Sequence, residues 1–213
     1  LFGSIYCKRS KKACSALFET VNQFGVAVTG GVERVAAMAQ LVHQAGGTML
    51  AIDGRNAFNA VSRTQVLKCV AKHLPDLYPY VVRMYGSAST PSLLFSLDGE
   101  AQPAVVPSRQ GVQQGDPLGP LLFALALLPI MRDFMVRYPD LSLPGFLDDL
   151  TLLCLSGQQL EADLTAMAGA FSWLKGRLLE VGVDVNMEKT ICLLPAEAQA
   201  SAPPAQRHNF LTW

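Results

Sequence analysis

No Cys-x-x-Cys pair occurs among the five cysteines, Cys7, Cys14, Cys69, Cys154 and Cys192, whose number is odd and whose spacing is wide. That argues against both a zinc site and a disulfide framework, so an intracellular, reducing compartment fits best. Charge is scarce too. Only 16% of the 213 residues are Asp, Glu, Lys or Arg while 50% are hydrophobic, which excludes a disordered, self-repelling chain. The longest apolar run, "PLLFALALLPIM" at 120–131, is well short of a bilayer span and holds two prolines, so no membrane segment is expected. An initiator Met and a signal-peptide pattern are both missing at Leu1. The chain therefore reads as a fragment of a longer polyprotein, and localisation stays open, the nucleus included.

What is present is enough apolar material for one substantial core. Formal net charge is zero but uneven: residues 1–90 hold ten Lys and Arg against four Asp and Glu, and residues 91–213 hold seven against thirteen. A basic front and an acidic back can serve phosphate handling and metal binding, although solvated helix faces would give the same count.

Apolar spacing over 33–45, stopped by Gly46-Gly47, predicts a helix. "TMLAID" at 48–53 predicts a short buried strand ending in an acid. Ser62 is the expected N-cap of a helix to about His73, and Pro75 the expected start of another running to Gly86. Asp98-Gly99 between two strand-like runs predicts a hairpin. A Gly-rich loop at 108–117 leads into an apolar helix over about 119–138. "FLDDLTLLCL" predicts a second hairpin with its two acids at or beside the turn, followed by an amphipathic helix over 157–181 and a last strand after "GVDVNMEKT". The Ala/Pro-rich "PAEAQASAPPAQR" predicts a loosely packed connection. Helices interleaved with antiparallel hairpins make the class α+β, with no doubly wound Rossmann sheet.

Asp53 closes one buried strand, and Asp148-Asp149 sit on a hairpin about ninety-five residues later. If these elements neighbour one another, three carboxylates meet at one sheet edge. Such a cluster repels itself unless a cation occupies it. Two hard divalent cations bridged by aspartates are one solution to phosphoryl-transfer chemistry.

"AIDGRNAFNAVSR", "SRQGVQQGDPLGPLLF", "FLDD" and "GVDVNMEKT", in that order and spacing, resemble palm motifs A to D of reverse transcriptases of non-LTR (LINE-like) retrotransposons. "NQFGVAVTGGVERVAA" is similar to the fingers segment that precedes motif A there. The resemblance implies a right-hand polymerase palm, residues 48–213 with a fingers insertion around 62–107, after partial fingers at 1–47. It implies an RNA-directed DNA polymerase that extends a primer 3′-hydroxyl with deoxynucleoside triphosphates. An RNA template, a DNA primer and two Mg²⁺, or Mn²⁺ in their stead, would be its partners and cofactors.

Carried over by position, Asp53 and Asp148 would bind both metals with Asp149 in support. Phe58 would lie beneath the sugar of the incoming nucleotide, and Ala57, Gln114 and Gly115 would line its pocket. Phe146, standing where the family usually has Tyr, would pack under the primer end. Pro117, Pro120 and Phe123 would shape the motif B loop and its helix, and Lys189 would give a proton to the leaving pyrophosphate. Lys8, Arg9, Lys11 and Lys12 are candidates for phosphate contacts, with a solvated helix face as the alternative.

The sequence departs from the pattern in three places. The fingers motif carrying the family's triphosphate-binding Arg is mostly missing, Gly119 replaces the usual Ser, and no thumb or endonuclease is expected within the chain. Two rivals remain open at this level. A domesticated or maturase-like RNA-binding domain would have no reason to keep all three acids. An RNA-dependent RNA polymerase would have no use for the bulky ring of Phe58.

Overall fold

The computed structural model describes residues 2–86, 92–95, 104–155 and 160–195. The Asp98-Gly99 turn and the connection after Pro195 lie outside the described residues. In chain order the elements are α1 (Phe2–Glu19), α2 (Gly31–Gln44), β1 (Thr48–Ile52), β2 (Gly54–Arg55), α3 (Ala57–Ala60) and α4 (Arg63–His73). After a 3-10 turn at Pro75–Leu77 come α5 (Tyr78–Tyr85), β3 (Ser92–Phe95), β4 (Ala104–Pro107) and α6 (Gly119–Arg137). The chain closes with β5 (Leu141–Ser142), β6 (Gly145–Phe146), β7 (Asp149–Cys154), α7 (Leu160–Glu180), β8 (Asp184–Val185) and β9 (Ile191–Leu193). The α+β class stands.

β1 lies inside an antiparallel sheet of order β5-β7-β1-β9, with β6 paired on β7. Alternation along the strands assigns their two faces. Leu50 and Leu152 are cross-strand partners and belong to the main core under α6 and α7. Their neighbours Met49 and Leu153, also partners, turn to the other face and bury Val42 of α2. Covering both faces is what the nearly continuous apolar runs of these strands require.

α6 is apolar all round because it is surrounded: every residue from Leu121 to Leu128 is buried. By length and composition alone it could cross a membrane, with a mean hydropathy of 1.6, but 67% of that window is buried inside the fold. Its role here is core helix.

Ser62 caps α4, its hydroxyl accepting the Gln65 N–H at 3.4 Å. The helix expected from Pro75 is broken. Pro79 has no N–H to give the Pro75 carbonyl, so the Tyr78 N–H closes a tighter turn on Pro75 before α5 begins. α1 had no element assigned from the sequence. It docks through Cys14 and Phe18, one turn apart and buried, and through Gly3, where an added Cβ would come within 3.1 Å of the Leu118 side chain.

Candidate active site

β6 and β7 form a hairpin whose register, Gly145 with Leu150 and Phe146 with Asp149, leaves Leu147 and Asp148 as a two-residue turn. Leu147 has φ 60° and Asp148 has no positive φ, the pattern of a type II′ turn. Glycine is the usual first residue of that turn. A leucine there costs about 1–3 kcal/mol and persists only where its surroundings enforce it.

β1 meets β7 with Ile52 opposite Leu150, so the next position along carries Asp53 toward Asp149. Asp148 faces the same end: a Cβ added to Gly54 would lie 3.9 Å from the Asp148 Cβ. Asp53 and Asp148 are half-buried and Asp149 is exposed. Burial raises the Asp148 carboxyl above the ordinary aspartate range, and the negative charges of Asp149 and Asp53 push it the same way. The three acids therefore feel one another at one end of the sheet.

Among the described residues no group of three or more His, Cys, Asp or Glu forms a ready-made metal cage. The donor set still fits Mg²⁺. It is all hard carboxylate oxygen, and this ion is typically held by one or two carboxylates with waters and substrate phosphates completing the shell.

Beside the acids, Ala57 is buried at the start of α3 and Phe58 is half-buried. The Phe58 ring stacks on Phe123 of α6, which is fully buried. The 108–118 loop is tied to the same short helix. The Val112 N–H donates to the Phe58 C=O at 2.8 Å, and Gly111, at φ 73°, passes so close that an added Cβ would strike the Asn59 backbone. Gln114 and Gly115 are exposed, and Gly115 has φ 87° with open space where a side chain would stand. A left-handed glycine facing open space leaves backbone that a ligand can approach closely.

Sequence reasoning missed the groups that hold this loop. Arg63 is 8% exposed, and its guanidinium donates to the carbonyls of Ser108, Gln110 and Gly111 and to the Ser108 hydroxyl. It also lies over the Tyr85 ring, 5.3 Å from the centroid. The Tyr85 hydroxyl donates to the Asp116 carboxylate and accepts the Gln113 N–H, while the other Asp116 oxygen accepts the Leu118 N–H at 2.9 Å. Burial, then the hydrogen bond to Asp116, raises the Tyr85 phenol well above its ordinary value. The available signal was an Arg in an otherwise amphipathic helix start, which is not distinctive.

Lys189 is exposed in a turn held by Asn186, whose C=O accepts the Lys189 and Thr190 N–H groups. The Asn186 N–H donates to the Asp53 C=O at 2.8 Å, so that turn is anchored to the acidic strand end. Phe146 is half-buried against Gly31, where an added Cβ would reach its ring at 3.3 Å. Lys8, Arg9, Lys11 and Lys12 are exposed on α1, and none joins an ion pair among the described residues. The Cys7 thiol donates to the Pro117 C=O at 3.5 Å, which sets α1 beside the 108–118 loop.

The antiparallel sheet backed by α6 and α7, with the three acids at one end beside a backed aromatic ring and an open glycine loop, has the architecture of a polymerase palm. The family model for reverse transcriptase (RNA-dependent DNA polymerase) matches residues 4–211, and the chain belongs to that family. It is 31% identical over 154 residues, 71% of its length, to the retrotransposable element SLACS 132 kDa protein of Trypanosoma brucei gambiense. It is 28% identical over 195 residues, 84% of its length, to the retrovirus-related Pol polyprotein from type-1 retrotransposable element R2 of Nasonia vitripennis. The chain spans 12% and 18% of those two relatives. The expectation of a non-LTR reverse transcriptase domain stands.

Among solved structures, apo telomerase from Candida tropicalis matches with a TM-score of 0.68 at 12% identity, over 90% of this chain and 37% of that one. Telomerase from Candida albicans in complex with a fragment of telomeric RNA matches at 0.56 and 13%, over 91% of this chain and 35% of that one. At such identities the likeness is one of fold.

Proposed function

We propose that this chain is the RNA-directed DNA polymerase of a longer polyprotein, with residues 1–47 as partial fingers and 48–213 as palm carrying a fingers insertion around 62–107. The observation that carries the reading is the meeting of Asp53, Asp148 and Asp149 at one sheet end, where burial and like charge raise the Asp148 carboxyl. Two Mg²⁺, or Mn²⁺ in their stead, held by Asp53 and Asp148 with Asp149 in support, would when bound activate a primer 3′-hydroxyl and balance charge developing on the triphosphate.

The chain's own residues supply position and selection. The 3′-hydroxyl attacks the α-phosphate of a deoxynucleoside triphosphate and pyrophosphate leaves. Ala57, Gln114 and Gly115 line the nucleotide pocket, and Phe146 supports the primer end. Phe58, backed by Phe123, fills the space a 2′-hydroxyl would need, which favours a DNA product over the RNA product of the rival polymerase reading. Lys189, on the turn anchored to Asp53, donates a proton to the departing pyrophosphate. Lys8, Arg9, Lys11 and Lys12 contact phosphates of the RNA template or DNA primer.

The test is extension of a DNA primer annealed to RNA by the chain in its full reading frame. Deoxynucleotide incorporation that needs Mg²⁺ and stops in EDTA supports the reading. Binding to RNA without extension under any divalent cation overturns it in favour of an RNA-binding domain.

A further inference from the structure

We infer that Gln23 is a positioning residue for the Leu147-Asp148 turn, its side-chain amide holding Leu147 left-handed and thereby aiming the Asp148 carboxylate. The inference rests on the polymerase reading for its consequence, and on geometry alone for the clamp.

Gln23 is 0% exposed, although it sits in a polar, Gly-flanked segment 124 residues from Leu147 in sequence. Its Oε1 accepts the Leu147 N–H at 2.8 Å and the Gly25 N–H at 3.0 Å. Its Nε2 donates to the Leu147 C=O at 3.1 Å and to the Met131 thioether at 3.9 Å. One amide thus engages both backbone groups of the strained residue. A hairpin turn of two residues leaves the N–H and C=O of its first residue outside the ladder, so a buried turn needs an outside partner for both. A side-chain amide is the one uncharged group that offers a donor and an acceptor from a single flat fork.

The backbone around Gln23 is built to hold it there. The Phe24 N–H donates to the Gly145 C=O at 2.7 Å, and the Gly145 N–H donates to the Asn22 C=O at 2.8 Å, a single parallel bridge that ties Gln23 to β6. Gly25 lets it pass: a Cβ there would lie 2.5 Å from the Leu147 nitrogen. Gly145 also leaves room, since a Cβ there would lie 2.8 Å from the Leu150 side chain and 3.1 Å from the Gln23 Nε2. Leu147 is joined directly to Asp148, so rotation at Leu147 swings that carboxylate away from the Asp53 strand end.

The experiment compares wild type, Gln23→Met and Gln23→Met/Leu147→Gly in the full reading frame. Met keeps the side-chain volume and removes both hydrogen bonds to Leu147, together with those to Gly25 and Met131. Gly at 147 removes the left-handed penalty, so the turn keeps its shape with less help from the clamp. Amide hydrogen exchange at Leu147 should quicken at least about tenfold in Gln23→Met, the worth of one buried hydrogen bond. Exchange at Leu50 and Leu152 in the sheet should stay as in wild type. Primer extension at saturating nucleotide should fall at least about tenfold with the nucleotide KM little changed, and the double variant should recover most of the loss.

Unchanged exchange at Leu147, or a loss that Leu147→Gly does not restore, would overturn the clamp. If Gln23→Met alone does not fold, the double variant decides: recovery of folding supports the clamp and continued misfolding overturns it. A wild type that extends no primer removes the polymerase reading, while exchange at Leu147 still decides the clamp.

Discussion

The ring of Phe58 lies flat on the ring of Phe123, with centroids 4.5 Å apart and planes 12° from parallel. Phe123 is fully buried in the core helix, so Phe58 has a rigid backing and can exclude volume without yielding. Phe58→Val should raise the efficiency of ribonucleotide incorporation relative to deoxynucleotides at least about tenfold, since a steric exclusion is removed and no hydrogen bond is lost. Competition on one primer-template measures the ratio. An unmoved ratio would make Phe58 an ordinary packing residue.

Tyr85 links the 108–118 loop to the core through Asp116 and the Gln113 N–H. Tyr85→Phe deletes only the hydroxyl and should destabilise the fold by about 1.5–3 kcal/mol, the usual range for a hydrogen bond to a charged group. Denaturant unfolding reads that loss. Steady-state kinetics should show the nucleotide KM rising more than kcat falls, because the loop and not the acids has been loosened.

The sign of the Asp148 shift fixes a pH dependence. Its carboxyl is raised above the ordinary value of 3.8, so the folded state holds the proton more tightly than the unfolded one. The stability it contributes is complete below that ordinary value and is lost as pH rises through the folded value. In divalent-free buffer at neutral pH, Asp148→Asn should therefore melt above wild type, with the gap closing as the buffer is taken below pH 4. Millimolar Mg²⁺ should stabilise wild type and leave the variant unmoved. A wild type equal to the variant in EDTA at pH 7 would contradict the cost that burial, with the charges of Asp149 and Asp53, places on the ionised Asp148.

Neutralising Lys8, Arg9, Lys11 and Lys12 together should weaken template-primer binding and flatten its dependence on salt, by about 0.9 in log-log slope for each duplex phosphate contact removed. Binding titrations across a salt series give the slope. An unchanged slope would return the four to a solvated helix face.

Much of this arrangement was legible in the sequence, for identifiable reasons. The strand Thr48–Ile52, the capped helix after Ser62 and the acidic hairpin each carry local signals: a short apolar run, a hydroxyl at the right offset, and acids between strand-like stretches. Asp148 and Asp149 could be set at a turn from sequence, though not which of them lies in it. Register decides that, and register depends on the partner strand. Gln23 and Arg63 were not legible as parts of the site. Each works by bonding backbone groups far along the chain, Leu147 in one case and Ser108 to Gly111 in the other, and a backbone partner leaves no mark on residue type. α1 went unassigned because the basic run at 8–12 interrupts its apolar residues, and its burial depends on Leu118, just before a distant helix.

If the acids at the end of β1 and in the β6–β7 turn perform nucleotidyl transfer, removing one must stop primer extension. The measurement that tests it most directly is extension of a DNA primer on an RNA template by Asp148→Asn beside wild type, under Mg²⁺ and with both proteins shown folded by circular dichroism. Wild type should extend the primer and the variant should lose extension, because a carboxylate that would hold the divalent cations is removed from phosphoryl transfer. A folded Asp148→Asn protein that extends at the wild-type rate would contradict it.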